Sequence, residues 1–91
     1  MNETKRIAVL GAGRLAESML SGFLSTGWRD AADIVATSRR AERRDALAAL
    51  YAIETTSDNA AAIDGARLVI LSVKPQDIAG LLAEIVFRYY T

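Results

Sequence analysis

Two short stretches hold residue types whose spacing could do chemistry. One is "VLGAGRLAESM", which contains Gly11-x-Gly13-x-x-Ala16. Gly11 permits a tight turn, Gly13 lets a bulky anion reach the backbone, and Ala16 is small enough for close helix–strand packing. A helix opening here would aim free N–H groups and a partial positive charge at a pyrophosphate. The other is "IVATSRRAERRDAL". It bunches Arg39, Arg40, Arg43 and Arg44, four of the eleven basic residues, in a chain whose formal net charge is zero. A hydroxyl followed by arginines suits a phosphate monoester, because guanidinium makes paired, charge-assisted hydrogen bonds to phosphate oxygens. The plain alternatives are a tight turn with no ligand and a solvated helix face.

Position separates the four arginines. Where a dinucleotide lacks a 2′-phosphate, an acid at the end of the second strand binds the ribose 2′-OH. Asp33 matches by counting from Gly13, but it begins that strand. At about 3.3 Å per residue it lies over ~10 Å from the ligand edge. The strand ends instead at Thr37, Ser38, Arg39 and Arg40, with no acid before Glu42. Cations in the first turn of a helix are disfavoured by the dipole. Arg39–Arg43 and Arg40–Arg44 are also like-charge i,i+4 pairs. A bound 2′-phosphate at Ser38 and Arg39, with Arg40 as a further candidate, would relieve that repulsion. Arg43 and Arg44, one turn on, are expected to be ordinary helix surface.

Two more segments fall at strand ends. In "TTSDNAAAI", Asn59 follows a short third strand; helix capping by Ser57 or Asp58 is the alternative there. In "LSVKPQ", Ser72, Val73 and Lys74 close a fourth strand and would border the nicotinamide half. A loop lysine and a proline helix start are the alternatives.

The elements that must position these groups follow from periodicity. "RIAVL" and "DIVAT" are short apolar runs suited to strands buried on both faces. "AIETT" is a short third strand, and "RLVILSV" a fourth. Leu15, Met19, Phe23 and Ala16, Leu20, Leu24 recur at helical spacing as far as Gly27. Leu47, Leu50 and Tyr51 stripe a second helix from Arg40. A third helical turn is capped at Ser57 or Asp58 and ended by Gly65. Ile78, Leu81, Leu82, Ile85, Val86 and Tyr89 stripe a last helix that starts at Pro75. Trp28 is expected at a helix end, and Tyr89 and Tyr90 over apolar surface. The β-α-β-α-β-α-β-α order predicts an α/β fold, half of a Rossmann-type doubly wound parallel sheet with strand order 3-2-1-4.

Composition narrows the classes. Ninety-one residues make one domain, residues 1–91, and 52% are hydrophobic, which excludes disorder. There is no cysteine and no histidine, so thiolate chemistry, disulfides and the commonest general base and metal ligand are absent. The polar start "MNETKR" is unlike a signal peptide, and no apolar run is long enough to span a bilayer. The expectation is a cytoplasmic protein with no membrane partner. Zero net charge, with no aromatics among the arginines, argues against nucleic acid.

Together, "IAVLGAGRLAESMLSGFL", "TSRRAERRDAL", "TTSDNAAAI" and "VILSVKPQD" resemble the N-terminal cofactor domain of pyrroline-5-carboxylate reductases, from about Lys5 to Glu84. That family reduces 1-pyrroline-5-carboxylate to proline with NADPH or NADH. The resemblance implies that Gly11, Ala12, Gly13, Arg14, Leu15 and Ala16 hold the pyrophosphate. Ser38 and Arg39 would hold the 2′-phosphate of NADP, Asn59 would contact the adenosine ribose, and Ser72 to Lys74 would line the nicotinamide side. F420-dependent NADP reductases share a similar layout. Family members continue into another strand and a helical domain that makes the dimer and much of the substrate pocket. The tail "VFRYYT" does not resemble that continuation, so catalysis by this chain alone is not expected. A non-catalytic NADP(H)-sensing module is the alternative function. An uncovered fourth strand would be an apolar sheet edge, and a homo-oligomer through it or through the last helix is expected.

Overall fold

The computed structural model describes residues 5–90, with side chains as far as Phe87. The expectation for the Tyr89 and Tyr90 side chains lies outside the described residues. The chain alternates β1 (Ile7–Leu10), α1 (Arg14–Ser25), a 3-10 turn (Ala31–Asp33), β2 (Ile34–Thr37), α2 (Ala41–Tyr51), β3 (Glu54–Thr56), α3 (Asn59–Ile63), β4 (Leu68–Leu71) and α4 (Pro75–Tyr90). The four strands form one parallel sheet in the order β3-β2-β1-β4.

The strand sequences explain that order. "IAVL" and "IVAT" are buried at every position, as two central strands covered on both faces must be. β3, "ETT", is more polar and takes one edge. Register pairs Ile7 with Ile34 on one side and with Leu68 on the other. The alternation of the pleat then divides the core in two. Ile7, Val9, Ile34 and Ala36 face Ala16 and Leu20 of α1 and Leu47 of α2. Ala8, Leu10 and Val35 face Ala62 of α3 and Leu81 of α4.

β4 takes the other edge and is largely uncovered. Leu68, Val69 and Leu71 are 42%, 39% and 40% exposed. The stripe of α4 splits in the same way. Leu81 is buried and Ile85 packs beside it, whereas Leu82 and Val86 remain exposed.

The termini of α1 are well defined. Its N-cap, Gly13, is extended and makes no side-chain capping bond. At the other end Gly27 takes φ +74, while Gly27 N–H bonds the Leu24 carbonyl and Trp28 N–H the Phe23 carbonyl. This is the paired closure of a Schellman motif. Trp28 packs edge-on against Phe23 at this end, with Arg29 over its ring.

Two residues of the earlier helical stripes also depart from expectation. Leu15 is 69% exposed, because the first turn of α1 starts beyond the end of β1. Leu50 is 67% exposed, and α2 meets the core through Leu47 and Tyr51, one turn apart on the same side. Among the described residues, no helix is long and apolar enough to cross a membrane.

Candidate functional site

Because all four strands run parallel, their C-terminal ends share one edge. That edge carries the segments after β1, β2, β3 and β4, which begin at Gly11, Ser38, Ser57 and Ser72. Asp33 lies in the 3-10 turn at the opposite end of β2, where its carboxylate completes a capping box with Asp30. The acid that counting would place near a ribose therefore serves a turn.

The glycine turn is shaped by its neighbours on both sides. Gly11 has φ +84, and a Cβ there would overlap Val73 Cγ1 and lie 2.8 Å from the Ser72 carbonyl oxygen. Glycine is needed at 11 both for the left-handed backbone and for the approach of the β4 end. On the other side Ala12 N–H bonds the Thr37 carbonyl at 2.8 Å, and Gly11 N–H bonds Thr37 Oγ1 at 3.0 Å. Gly13 differs: its backbone is extended and a Cβ there would meet nothing within 4 Å. Among the described residues, the N–H groups of Arg14, Leu15 and Ala16 have no acceptor, as expected for the first turn of a helix. Open space at Gly13 beside unpaired N–H donors and a positive helix end fits a pyrophosphate.

Thr37 is the hub of this edge, and its hydroxyl was legible only as the last residue of an apolar strand. It is 2% exposed. Its Oγ1 accepts from Gly11 N–H and donates to Asn59 Oδ1 at 2.5 Å. Asn59 opens α3, its side-chain nitrogen also donating to Glu84 of α4 at 3.4 Å. Asp58 supplies the cap by accepting from Ala61 N–H, which frees Asn59 from that role. Asn59 thus stands on the expected edge, half-buried and engaged with two other elements.

The arginines divide differently from the sequence expectation. Arg43 and Arg44 are not solvated helix surface. Arg43 sends Nε to the Ala12 carbonyl at 3.0 Å and a terminal nitrogen to the Gly13 carbonyl at 3.2 Å. It also pairs with Glu17 at 2.8 Å. Arg44 donates to the Ser38 carbonyl at 2.9 Å. The first turn of α2 sends its long cationic side chains to backbone oxygens of both loops. Arg40 caps α2 through its backbone and pairs with Glu42 at 2.8 Å, an exposed contact worth little. Arg39 is exposed and, among the described residues, has no hydrogen bond or ion pair. The Ser38 hydroxyl accepts from Arg40 N–H at 3.2 Å, which leaves its own proton available to an acceptor.

Glu17 and Tyr51 complete the Arg43 contact and were not singled out by spacing. The Tyr51 hydroxyl donates to Glu17 Oε2 at 2.8 Å while Arg43 holds Oε1. The phenol first, and the guanidinium second, hold the Glu17 carboxyl below its usual range. Its carboxylate in turn pushes the Tyr51 phenol up. Glu42 is lowered by its own backbone N–H at the start of α2 and then by Arg40.

At the remaining strand end, Ser72 N–H continues the β1 ladder to the Leu10 carbonyl. Val73 packs partly into the core beside Leu81, and Lys74 is exposed. Ser72 and Val73 therefore meet the glycine turn at the point where strand order reverses, the usual ligand crevice of doubly wound sheets.

Comparison with known proteins agrees with the fold. The model of a family described as NADP oxidoreductase, coenzyme F420-dependent, matches residues 6–89. A pyrroline-5-carboxylate reductase of Vibrio alginolyticus is 43% identical over 77 residues, covering 85% of this chain and 28% of that protein. The Mycobacterium tuberculosis H37Rv enzyme of the same name is 38% identical over 80 residues, covering 88% of this chain and 26% of that protein. A solved pyrroline-5-carboxylate reductase from Coxiella burnetii superposes with a TM-score of 0.86 at 28% identity, over 97% of this chain and 33% of that one. The chain thus spans about a quarter to a third of the length of these relatives. The cofactor class that goes with the match is a nicotinamide dinucleotide. The chain belongs to the family described as NADP oxidoreductase, coenzyme F420-dependent, and corresponds within it to the N-terminal Rossmann-like domain of pyrroline-5-carboxylate reductases.

Proposed function

We propose that this chain is an NADP(H)-binding domain of a pyrroline-5-carboxylate reductase-like oxidoreductase of proline biosynthesis, working in the cytoplasm. The observation that carries the choice of NADP is the state of the arginines. Arg40, Arg43 and Arg44 have intramolecular partners, while Arg39 stands exposed beside a hydroxyl with a proton to donate, where an NAD protein places an acid. In this reading Gly11 to Ala16 hold the pyrophosphate through backbone N–H groups. Ser38 and Arg39, with Arg40 at the rim, hold the 2′-phosphate. Asn59 orients the adenosine ribose, and Ser72, Val73 and Lys74 border the nicotinamide. The bound nicotinamide supplies the hydride for reducing a C=N bond; the chain's own part is to hold and orient it. Hydride transfer also needs a substrate held against the ring. We assign no residue of this chain to that task and expect binding without turnover by the chain alone.

Separate titrations with NADPH and NADH, followed by nicotinamide fluorescence, test the reading. NADPH is expected to bind more tightly, with Arg39→Ala removing most of the difference by costing about tenfold or more for NADPH alone. Equal affinities would overturn the 2′-phosphate assignment. Turnover of pyrroline-5-carboxylate by the isolated chain would overturn the division of labour.

A further inference from the structure

We infer that Arg43 and Arg44, adjacent on α2, are positioning residues for two different parts of the same ligand. Arg43 braces the pyrophosphate turn and Arg44 braces the loop that selects the cofactor. The inference rests on the NADP(H) reading above and goes beyond it, because neither side chain is expected to touch the ligand.

The geometry separates the two roles. Arg43 reaches across the sheet edge to the carbonyls of Ala12 and Gly13, two consecutive residues of the glycine turn. Binding both fixes the peptide between them, and with it the direction in which the following N–H groups point. The guanidinium has a further partner: the terminal nitrogen on the Gly13 carbonyl also pairs with Glu17, and Tyr51 takes the second oxygen of Glu17. One connected set of polar contacts therefore runs from the end of α2 through α1 to the turn. It touches nothing that distinguishes a phosphorylated from an unphosphorylated ribose. Arg44 makes a single bond to the Ser38 carbonyl, six residues back. Ser38 N–H is tied to the Thr56 carbonyl of β3, and its hydroxyl receives Arg40 N–H. With Arg44 on its carbonyl, Ser38 is held at three points, and Arg39 projects from a fixed base. A loop left free would lose ordering entropy each time it closed on a phosphate.

Two variants of equal charge separate the roles: Arg43→Met and Arg44→Met. NADPH and NADH affinities are measured for each, with far-UV circular dichroism and melting as controls of folding. Arg43→Met should weaken both cofactors by a common factor, about three- to tenfold, and leave their ratio within about twofold of wild type. Arg44→Met should lower the NADPH to NADH ratio by about three- to tenfold while changing NADH little. Arg44→Lys, which can still reach a carbonyl, should restore most of the ratio. Hydrogen exchange gives a second reading without cofactor: Arg43→Met should speed exchange at Gly11 to Gly13, and Arg44→Met at Ser38. Should either methionine variant unfold, Tyr51→Phe substitutes for Arg43→Met and Arg44→Ala for Arg44→Met.

Equal loss of ratio in both variants would mean that α2 contributes only general positive charge, and would overturn the inference. So would an Arg44→Met protein whose ratio is unchanged while Arg39→Ala abolishes it. A wild-type ratio near one would overturn the cofactor reading and, with it, the role of Arg44. Arg43 would then be judged by its common effect and by the exchange of the turn.

Discussion

At the scale of single residues, the contact between Glu17, Tyr51 and Arg43 makes a claim about pH. Glu17 is lowered from an ordinary value of 4.5, with the Tyr51 hydroxyl as the larger cause and Arg43 as the next. A lowered carboxyl contributes stability that is present above 4.5 and is lost as pH falls through its value in the folded protein, below 4.5. Binding of a dinucleotide should therefore be insensitive to Glu17 near neutrality and weaken in acid below that value. Tyr51 is raised above its ordinary 10.0, so its own contribution holds up to that value and fades only as pH climbs past it. Carbon-13 NMR titration of the Glu17 carboxyl checks both causes. Tyr51→Phe and Arg43→Met should each move its midpoint up toward 4.5. A midpoint that ignores Tyr51→Phe would show that the phenol bond does not persist in solution.

At the scale of elements, the two glycines of the β1–α1 turn separate folding from binding. Gly11→Ala puts a side chain on a left-handed backbone and into Val73 and Ser72, so it should destabilise by at least about 1–3 kcal/mol in urea unfolding. Gly13→Ala adds a methyl to an extended backbone facing open space. Its stability should be unchanged or rise by up to about 1 kcal/mol, through the unfolded chain. Its dinucleotide affinity should fall, because the methyl occupies the approach to the helix N-terminus. A Gly13→Ala protein that binds as well as wild type would remove Gly13 from the site. This contrast also marks what the sequence makes legible. The turn, the strand order and the edge that gathers Gly11, Ser38, Asn59 and Ser72 follow from local patterns: apolar runs, helical spacing and a glycine fingerprint. The roles of Arg43 and Arg44 do not. Their acceptors are backbone carbonyls, some of them thirty positions away, and every residue carries a carbonyl. Charge repulsion between i,i+4 arginines is visible in sequence, but its relief by Glu17 from another helix is not. Thr37 is hidden for the same reason, since its hydroxyl matters only once Gly11 and Asn59 flank it. Leu15 and Leu50 fail as core residues because periodicity gives the side of a helix without saying where the sheet beneath it stops.

At the scale of the whole molecule, the uneven covering of the sheet predicts association. β3 closes one edge with polar residues, and Glu54 there is paired with Arg6. β4 presents Leu68, Val69 and Leu71 at the other edge, and Leu82 and Val86 of α4 are exposed as well. An edge strand with free N–H and carbonyl groups and no charged side chain in "LVIL" is a template for another strand. The simplest partner is a second copy of this chain, since two identical edges can pair across a twofold axis and bury the same residues twice. For residues 1–91 taken by themselves, we therefore propose a homodimer through β4. Light scattering should give a dimer whose population grows with concentration. Val69→Lys should return it to a monomer, because a charge in the middle of an edge strand disfavours strand addition, while the central strands that build the core are untouched. The substitution lies on the face of β4 toward α3 and α4, beside Ala8 in the register, and away from the strand ends that carry the candidate site. NADPH affinity should then survive in the monomeric variant. A strict monomer at high concentration for the unaltered chain would remove the proposed interface. Loss of NADPH binding in a folded Val69→Lys monomer would mean instead that the site depends on the partner copy.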